Sequence, residues 1–239
     1  MGVAPEADLW IGSYSNKGAE TNHSDWWAEF FDKARTDDVT VMNMSWGSNN
    51  YDADDVQAYM SSQSATAAEA VSYYLNNAWG GNSFTTTASS VSTWVTAMDN
   101  YQSNGGVIVQ SLSNPTSITA TNTYGVDDAD FVAAMPVYFS QLAEAWITAV
   151  NIDKTGTSGN YSFARKSGKC GQTAQYCLGA DGWNITGIAY SNNSSYSSSY
   201  GNYVGTSLVA PQISGAIALL AHHFPNHTSE QLVDRLLAS

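Results

Sequence analysis

The sequence predicts an α/β domain, and three observations carry that prediction. Residues 39–47, Val-Thr-Val-Met-Asn-Met-Ser-Trp-Gly, form an apolar run that closes on a Ser-x-Gly turn. A run of this kind reads as a strand buried on both faces, as parallel sheets require. Residues 105–115 and 145–153 supply two more core strands, the first closing on Asn114-Pro115 and the second on Lys154-Thr155-Gly156. Helical spacing appears beside them: Trp26, Trp27, Phe30, Phe31 and Ala34 recur at three and four residues, with Ser24 or Asp25 as cap. A chain of 239 residues is long enough to bury one such core.

The remaining elements follow in order. Residues 2–11 read as a turn feeding a strand, with Ala4-Pro5 as punctuation before Leu9-Trp10-Ile11. Residues 52–60, 65–79 and 90–101 read as helices. In the second, Ala67, Ala68, Val71, Leu75 and Ala78 share a stripe that Gly80-Gly81-Asn82 ends; in the third, Val91, Trp94, Val95 and Met98 share a face. Their many Ser and Thr residues predict an exposed, enlarged helical connection. Residues 135–139 continue the strand series, and residues 190–203, rich in Tyr, Ser and Asn, read as a polar loop. A helix follows residue 207 and ends near His222-His223-Phe224-Pro225, where histidines suit the negative end of the helix dipole. Thr228-Ser229-Glu230-Gln231 caps a last helix.

Composition narrows the function classes. Eight Lys and Arg face 21 Asp and Glu, a net charge of −13. That balance disfavours nucleic acid and anionic membrane surfaces as partners. Hydrophobic residues make up 43% of the chain but form no run long enough to span a bilayer. No signal-peptide pattern follows Met1. Cys170 and Cys177 are either a short-loop disulfide of an oxidising compartment or a pair of reduced structural thiols. No metal site is expected, since further ligands are not evident nearby. No cofactor is expected; structural calcium would have acidic loops available but no convincing ligand spacing.

The chain is organised around Gly205-Thr206-Ser207-Leu208-Val209-Ala210-Pro211. Gly205 permits an unusual backbone, and Thr206 and Ser207 can cap the helix that follows. A serine in this position also meets unpaired N–H groups and a positive dipole end. Read alone, Ser207 is an N-cap or a nucleophile. The stretch resembles the nucleophile segment of the subtilase serine peptidases, G-T-S-x-x-A-P followed by a helix rich in small residues. That resemblance implies that Ser207 forms the acyl-enzyme.

Other motifs follow in the family's order. Residues 39–47 resemble the subtilase strand V-x-N-x-S-x-G, which implies that Ser45, Trp46 and Gly47 wall the substrate cleft and offer backbone groups to an extended peptide. Without the resemblance they are a core strand with a polar exit. Asn114 stands where G-x-x-V-x-x-A-A-G-N places an oxyanion donor, worth roughly 3–4 kcal/mol in the transition state. Ser111-Leu112-Ser113 and Pro115 depart from that pattern. Residues 2–11 are similar to G-V-A-P-x-A-x-L, which in the family follows the helix of the catalytic histidine. Residues 135–150 and 163–185 resemble the subtilase domains of Gram-negative autotransporter passengers, with departures at Asp181 and at Ser167-Gly168-Lys169.

The resemblance implies a subtilisin-like three-layer fold: a mostly parallel sheet with helices on both faces, its site at the carboxyl ends of strands and its N-terminal part missing. Residues 1–239 would be a single partial catalytic domain with a helical insertion at about 48–103. A serine nucleophile needs a base, usually a histidine oriented by a carboxylate. His23, His222, His223 and His227 lack the family's H-G-T-H setting, and no D-T-G or D-S-G segment is present. The expectation is a serine endopeptidase acting on a polypeptide substrate, its Asp and His supplied upstream, with this chain inactive by itself. The other expectation is a non-catalytic subtilase-like binding or surface module. The resemblance and the cysteine pair imply a secreted or cell-surface location, and the resemblance allows a C-terminal β-barrel translocator in the full-length protein.

Overall fold

A computed structural model describes residues 2–12, 23–78, 85–114, 128–191 and 195–239. Its frame is a mixed sheet built from β1 (Val41–Met44), β2 (Val107–Ser111), β3 (Trp146–Thr157), β4 (Asn160–Arg165) and β5 (Cys177–Asp181). Strands β1, β2, β3 and β5 are parallel neighbours in that order. The far half of β3 turns back through an antiparallel pairing with β4, Ile152 opposite Arg165 to Thr157 opposite Asn160. Strand β3 therefore runs past Lys154-Thr155-Gly156, where the sequence suggested a boundary. Gly156 and Gly159 take positive φ there, which suits a hairpin bend.

Period-two alternation divides the sheet between two helical layers. Ile108 and Trp146 point into one core with Phe31, Trp94, Met98 and Tyr101, built on α1 (His23–Thr36) and α4 (Ala88–Ser103). Val107, Val109, Ile147 and Ala149 point the other way, onto α6 (Ala210–His223) and α7 (Ser229–Leu237). Helices α2 (Ala53–Gln63) and α3 (Ala67–Ala78) complete the first layer. Asp52 caps α2 through the Asp55 N–H, and Thr228 caps α7 through the Gln231 N–H, each with a reciprocal capping box. A third cluster, around Ala53, Leu112, Ala133 and Val150, lies toward the carboxyl ends of the strands.

Four expectations change. Residues 2–11 form a turn and then irregular chain rather than a strand. A strand needs a backbone neighbour, and a groove of about 1310 Å³ separates this segment from β1. Leu9 and Ile11 are 86% and 83% exposed; Trp10 holds the segment by bonding Asp37 at 3.0 Å and meeting Phe30 edge-on. Met135–Tyr138 is a short helix, α5, with Pro136 in its first turn, where proline costs no helical hydrogen bond. The polar stretch after residue 184 is a hairpin of β6 (Ile185–Ser191) and β7 (Ser195–Tyr203). Helix α4 is a core helix: its Ser and Thr lie beside a face in which Val91, Trp94, Val95, Met98 and Tyr101 are buried. The expected helix end at Gly80-Gly81-Asn82 lies outside the described residues.

Candidate functional site

Ser207 sits at the carboxyl side of the sheet, in a 3-10 turn over Thr206–Leu208 that precedes α6. It does not cap α6. The N-cap position is Val209, without a side-chain bond. Instead the Ser207 hydroxyl donates to the Ser45 carbonyl at 3.2 Å, and the Ser45 hydroxyl donates to the Ser207 carbonyl at 3.1 Å. Ser207 is half-buried.

Thr206 fixes the turn from below. It is fully buried; its hydroxyl donates to the Leu112 carbonyl at 2.5 Å, and its N–H donates to Asn114 Oδ1 at 2.9 Å. The structure thus brings Asn114 to the Ser207 turn from the end of β2. With Oδ1 accepting from Thr206, the two Nδ2 hydrogens of Asn114 are the half of the amide available to a further oxygen. Gly205, at φ 155°, leaves room for this contact: a Cβ there would stand 3.1 Å from Asn114 Oδ1. Pro115 lies outside the described residues.

A second brace comes from β3. Asn151 is completely buried; its side chain accepts from the Gly182 N–H at 2.9 Å and donates to the Gly182 carbonyl at 3.2 Å. That carbonyl also accepts the Gly205 N–H at 3.0 Å. Asp181, where the sequence departs from the family pattern, accepts from the Trp183 N–H at 2.9 Å and closes the same corner. Asp153 lies within β3 and pairs with Lys166 at 3.6 Å.

The stretch Ser45-Trp46-Gly47 forms the opposite wall and is tethered along its length. The Trp46 carbonyl accepts from Gln110 Nε2. The Trp46 ring turns away from the wall and stacks on Trp27 at 4.7 Å and Trp94 at 6.1 Å. The Ser48 N–H donates to Asp130 Oδ2 at 2.5 Å, and Asn49 Oδ1 accepts the Asn114 N–H at 2.8 Å. The departure at residues 111–113 is absorbed inward: Leu112 is 1% exposed and packs in the third cluster, so its bulk lies away from the wall.

Sequence reasoning missed Asp130 and Asn151. Asp130 is completely buried, and its carboxylate also accepts the Val132 and Ala133 N–H groups at 2.9 and 3.1 Å. Burial pushes its pKa up to about 7, against the lowering pull of those N–H groups, and the charge of Asp52 adds to the rise. Burial likewise pushes the Tyr138 hydroxyl well above the ordinary tyrosine value, with Asp130, Asp52 and Asp128 adding to it. The pattern Asp128-Ala129-Asp130 before an apolar run was the available signal, since carboxylates favour the starts of helical turns. For Asn151 the signal was one polar residue inside an apolar strand.

His222 and His223 end α6, about 20 Å of helix from its start. His227 sits 3.3 Å from an Arg235 guanidinium nitrogen. Cys170 and Cys177, the first residue of β5, form a disulfide. Among the described residues no group of three His, Cys, Asp or Glu side chains is placed to hold a metal ion, and no helix is long and apolar enough to cross a membrane.

The mostly parallel sheet between helical layers, with a serine turn at the carboxyl ends of its strands, defines a three-layer α/β domain. The family model for subtilases matches residues 1–239, and the chain belongs to the subtilase family. It is 28% identical over 144 residues to an extracellular serine protease of Serratia marcescens, covering 54% of this chain and 12% of that protein. It is 26% identical over 181 residues to serotype-specific antigen 1 of Mannheimia haemolytica, covering 70% of this chain and 18% of that protein. The chain thus spans less than a fifth of the length of either relative. Its fold is that of Sphericase, with a TM-score of 0.52 and 17% identity over 90% of this chain and 55% of that structure.

Proposed function

We propose that this chain carries the nucleophile half of a serine endopeptidase site, completed by an Asp and a His from elsewhere in a longer protein. The observation that carries the reading is the convergence of Ser207, Asn114 and the Ser45–Gly47 wall on one point at the carboxyl edge of the sheet. Family membership makes peptide-bond hydrolysis the reaction to expect. Ser207 Oγ attacks the scissile carbonyl carbon as its proton passes to the base. The developing oxyanion receives the Ser207 N–H and Asn114 Nδ2, and the leaving amine takes the proton back. Water then releases the acyl group by the same route. The wall pairs with the substrate backbone in extended form.

An extracellular or surface setting fits the disulfide and the two relatives, one an extracellular protease and the other an antigen. A β-barrel translocator further along the full-length protein belongs to the same reading. A second reading, a non-catalytic binding module, is favoured by one observation: the Ser207 hydroxyl is paired with a carbonyl rather than a base.

The test is turnover of casein by purified protein. The 239-residue chain alone is expected to show none. The chain extended by its upstream coding sequence is expected to cleave casein and to lose that activity on Ser207→Ala. Activity of the chain alone, abolished by Ser207→Ala, defeats the requirement for an added Asp and His. An extended protein with no Ser207-dependent activity favours the binding module.

A further inference from the structure

We propose that Asp130 is a positioning residue that holds the cleft wall at Gly47–Ser48 in place, and that gain of a proton by its carboxylate releases the wall. In calling 45–48 a cleft wall this rests on the peptidase reading; the tether itself does not.

The geometry is specific. The carboxylate takes three backbone N–H groups from two segments: Ser48 on one oxygen, Val132 and Ala133 on the other. Gly47 lies flat against it, since a Cβ at Gly47 would stand 3.1 Å from Oδ1 and 3.3 Å from Cγ. The backbone of Asp130 is itself anchored: its carbonyl accepts the Ala134 N–H at 2.8 Å, and the adjacent Phe131 N–H bonds Tyr51 at 3.3 Å. One carboxylate therefore ties the wall to the 128–134 turn and, through Tyr51, to the start of α2.

The charged form serves all three donors with charge-assisted bonds. A protonated carboxyl loses the charge and part of its acceptor capacity, which weakens its hold on the Ser48 N–H. Burial makes the charged form costly, and Asp52, which caps α2 beside it, adds its charge. Asp128 lies two residues upstream, and the buried Tyr138 hydroxyl on α5 faces the same three carboxylates. Burial first, then the Asp52 charge, moves proton uptake toward neutrality, to about 7.

The test is amide NMR with hydrogen exchange on the whole 239-residue chain, followed from about pH 5 to about pH 9, a window that brackets the titration. The Gly47 and Ser48 resonances are expected to shift together with one midpoint near 7. The Ser48 amide, corrected for intrinsic exchange, should be about tenfold better protected above the midpoint than below it, the value of one charge-assisted hydrogen bond. Asp130→Asn removes the midpoint. Asp52→Asn retains it at a lower pH. Should Asp130→Asn fail to fold, the side-chain carboxyl resonance of Asp130 in the unmodified chain replaces it: its midpoint must coincide with that of Ser48. Wall amides that do not titrate, or that titrate unchanged in Asp130→Asn, overturn the proposal.

Acetyl-tetraalanine amide, added in the same experiment, separates this inference from the peptidase reading. Shifts at residues 45–48 that weaken about fivefold below the midpoint support both. Titrating amides with no peptide binding at any pH support the tether and count against the cleft. Peptide binding that is equally strong at both ends of the range overturns the switch.

Discussion

Ser207 and Ser45 exchange hydrogen bonds: each hydroxyl donates to the other's carbonyl, at 3.2 and 3.1 Å, across 162 residues of chain. The Ser207 turn and the end of β1 are thereby joined. Only one of the two bonds uses the Ser207 side chain. Ser207→Ala should therefore cost the fold about 1 kcal/mol or less, since the Ser45 hydroxyl still reaches a backbone carbonyl. Urea unfolding measures it. A loss above about 3 kcal/mol would mean that the hydroxyl is chiefly architectural.

Asn114 separates structure from chemistry within one side chain. Its Oδ1 holds the Thr206 N–H at 2.9 Å, while Nδ2 is the proposed oxyanion donor. Asn114→Ala removes both halves and leaves a buried threonine short of a partner, a cost of about 1–3 kcal/mol. Asn114→Asp keeps the acceptor and discards the donor. In the upstream-extended protein it should retain the thermal midpoint while kcat falls about 100- to 1000-fold with KM little changed. Equal loss of stability in the two variants would sink the division of roles.

Much of this site was legible in the sequence because its parts are backbone punctuation. Gly205-Thr206-Ser207 and Ser45-Trp46-Gly47 mark the carboxyl ends of a layered sheet, and the Val107–Ser111 run places Asn114 beside them. The parts that escaped are long-range. Nothing local in Asp128-Ala129-Asp130 says that its carboxylate reaches the Ser48 N–H 82 residues away. The Ser- and Thr-rich composition of residues 88–103 suggested exposure, yet the stripe through Val91, Trp94, Val95 and Met98 is buried, because burial follows the face and not the average. Residues 7–11 read as a strand from their apolar content, but a strand exists only with a hydrogen-bonded neighbour.

Gly182 lies at the crossing of β5's exit and the Ser207 turn. A Cβ there would stand 2.6 Å from the Gly205 carbonyl and 2.6 Å from Val209, and 2.9 Å from Asn151 Oδ1. Two of those three contacts are backbone carbonyl and a buried amide that cannot retreat. Gly182→Ala should destabilise the chain by about 1–3 kcal/mol and displace the serine turn. Thermal unfolding and the amide shifts of Gly205 and Thr206 report both effects. A variant as stable as the unmodified chain would mean that the two segments are free to separate.

Stability should also depend on pH in a direction unusual for an acidic protein. An unfolded chain ionises Asp130 near its ordinary value of 3.8, whereas the folded chain holds the proton to about 7. Between those values the folded state binds a proton that the unfolded state lacks, so stability falls as pH rises through that window and levels off above it. Asp37, lowered chiefly by its bond to Lys33, and Glu69, lowered by the Thr66 N–H, act in the opposite sense, but only on the acid side of their ordinary values. Urea midpoints should therefore decline from about pH 5 to about pH 8, and Asp130→Asn should flatten that decline because its amide carries no charge to desolvate. A decline that persists unchanged in the variant would assign the proton to another group and remove the physical basis for treating Asp130 as costly to ionise.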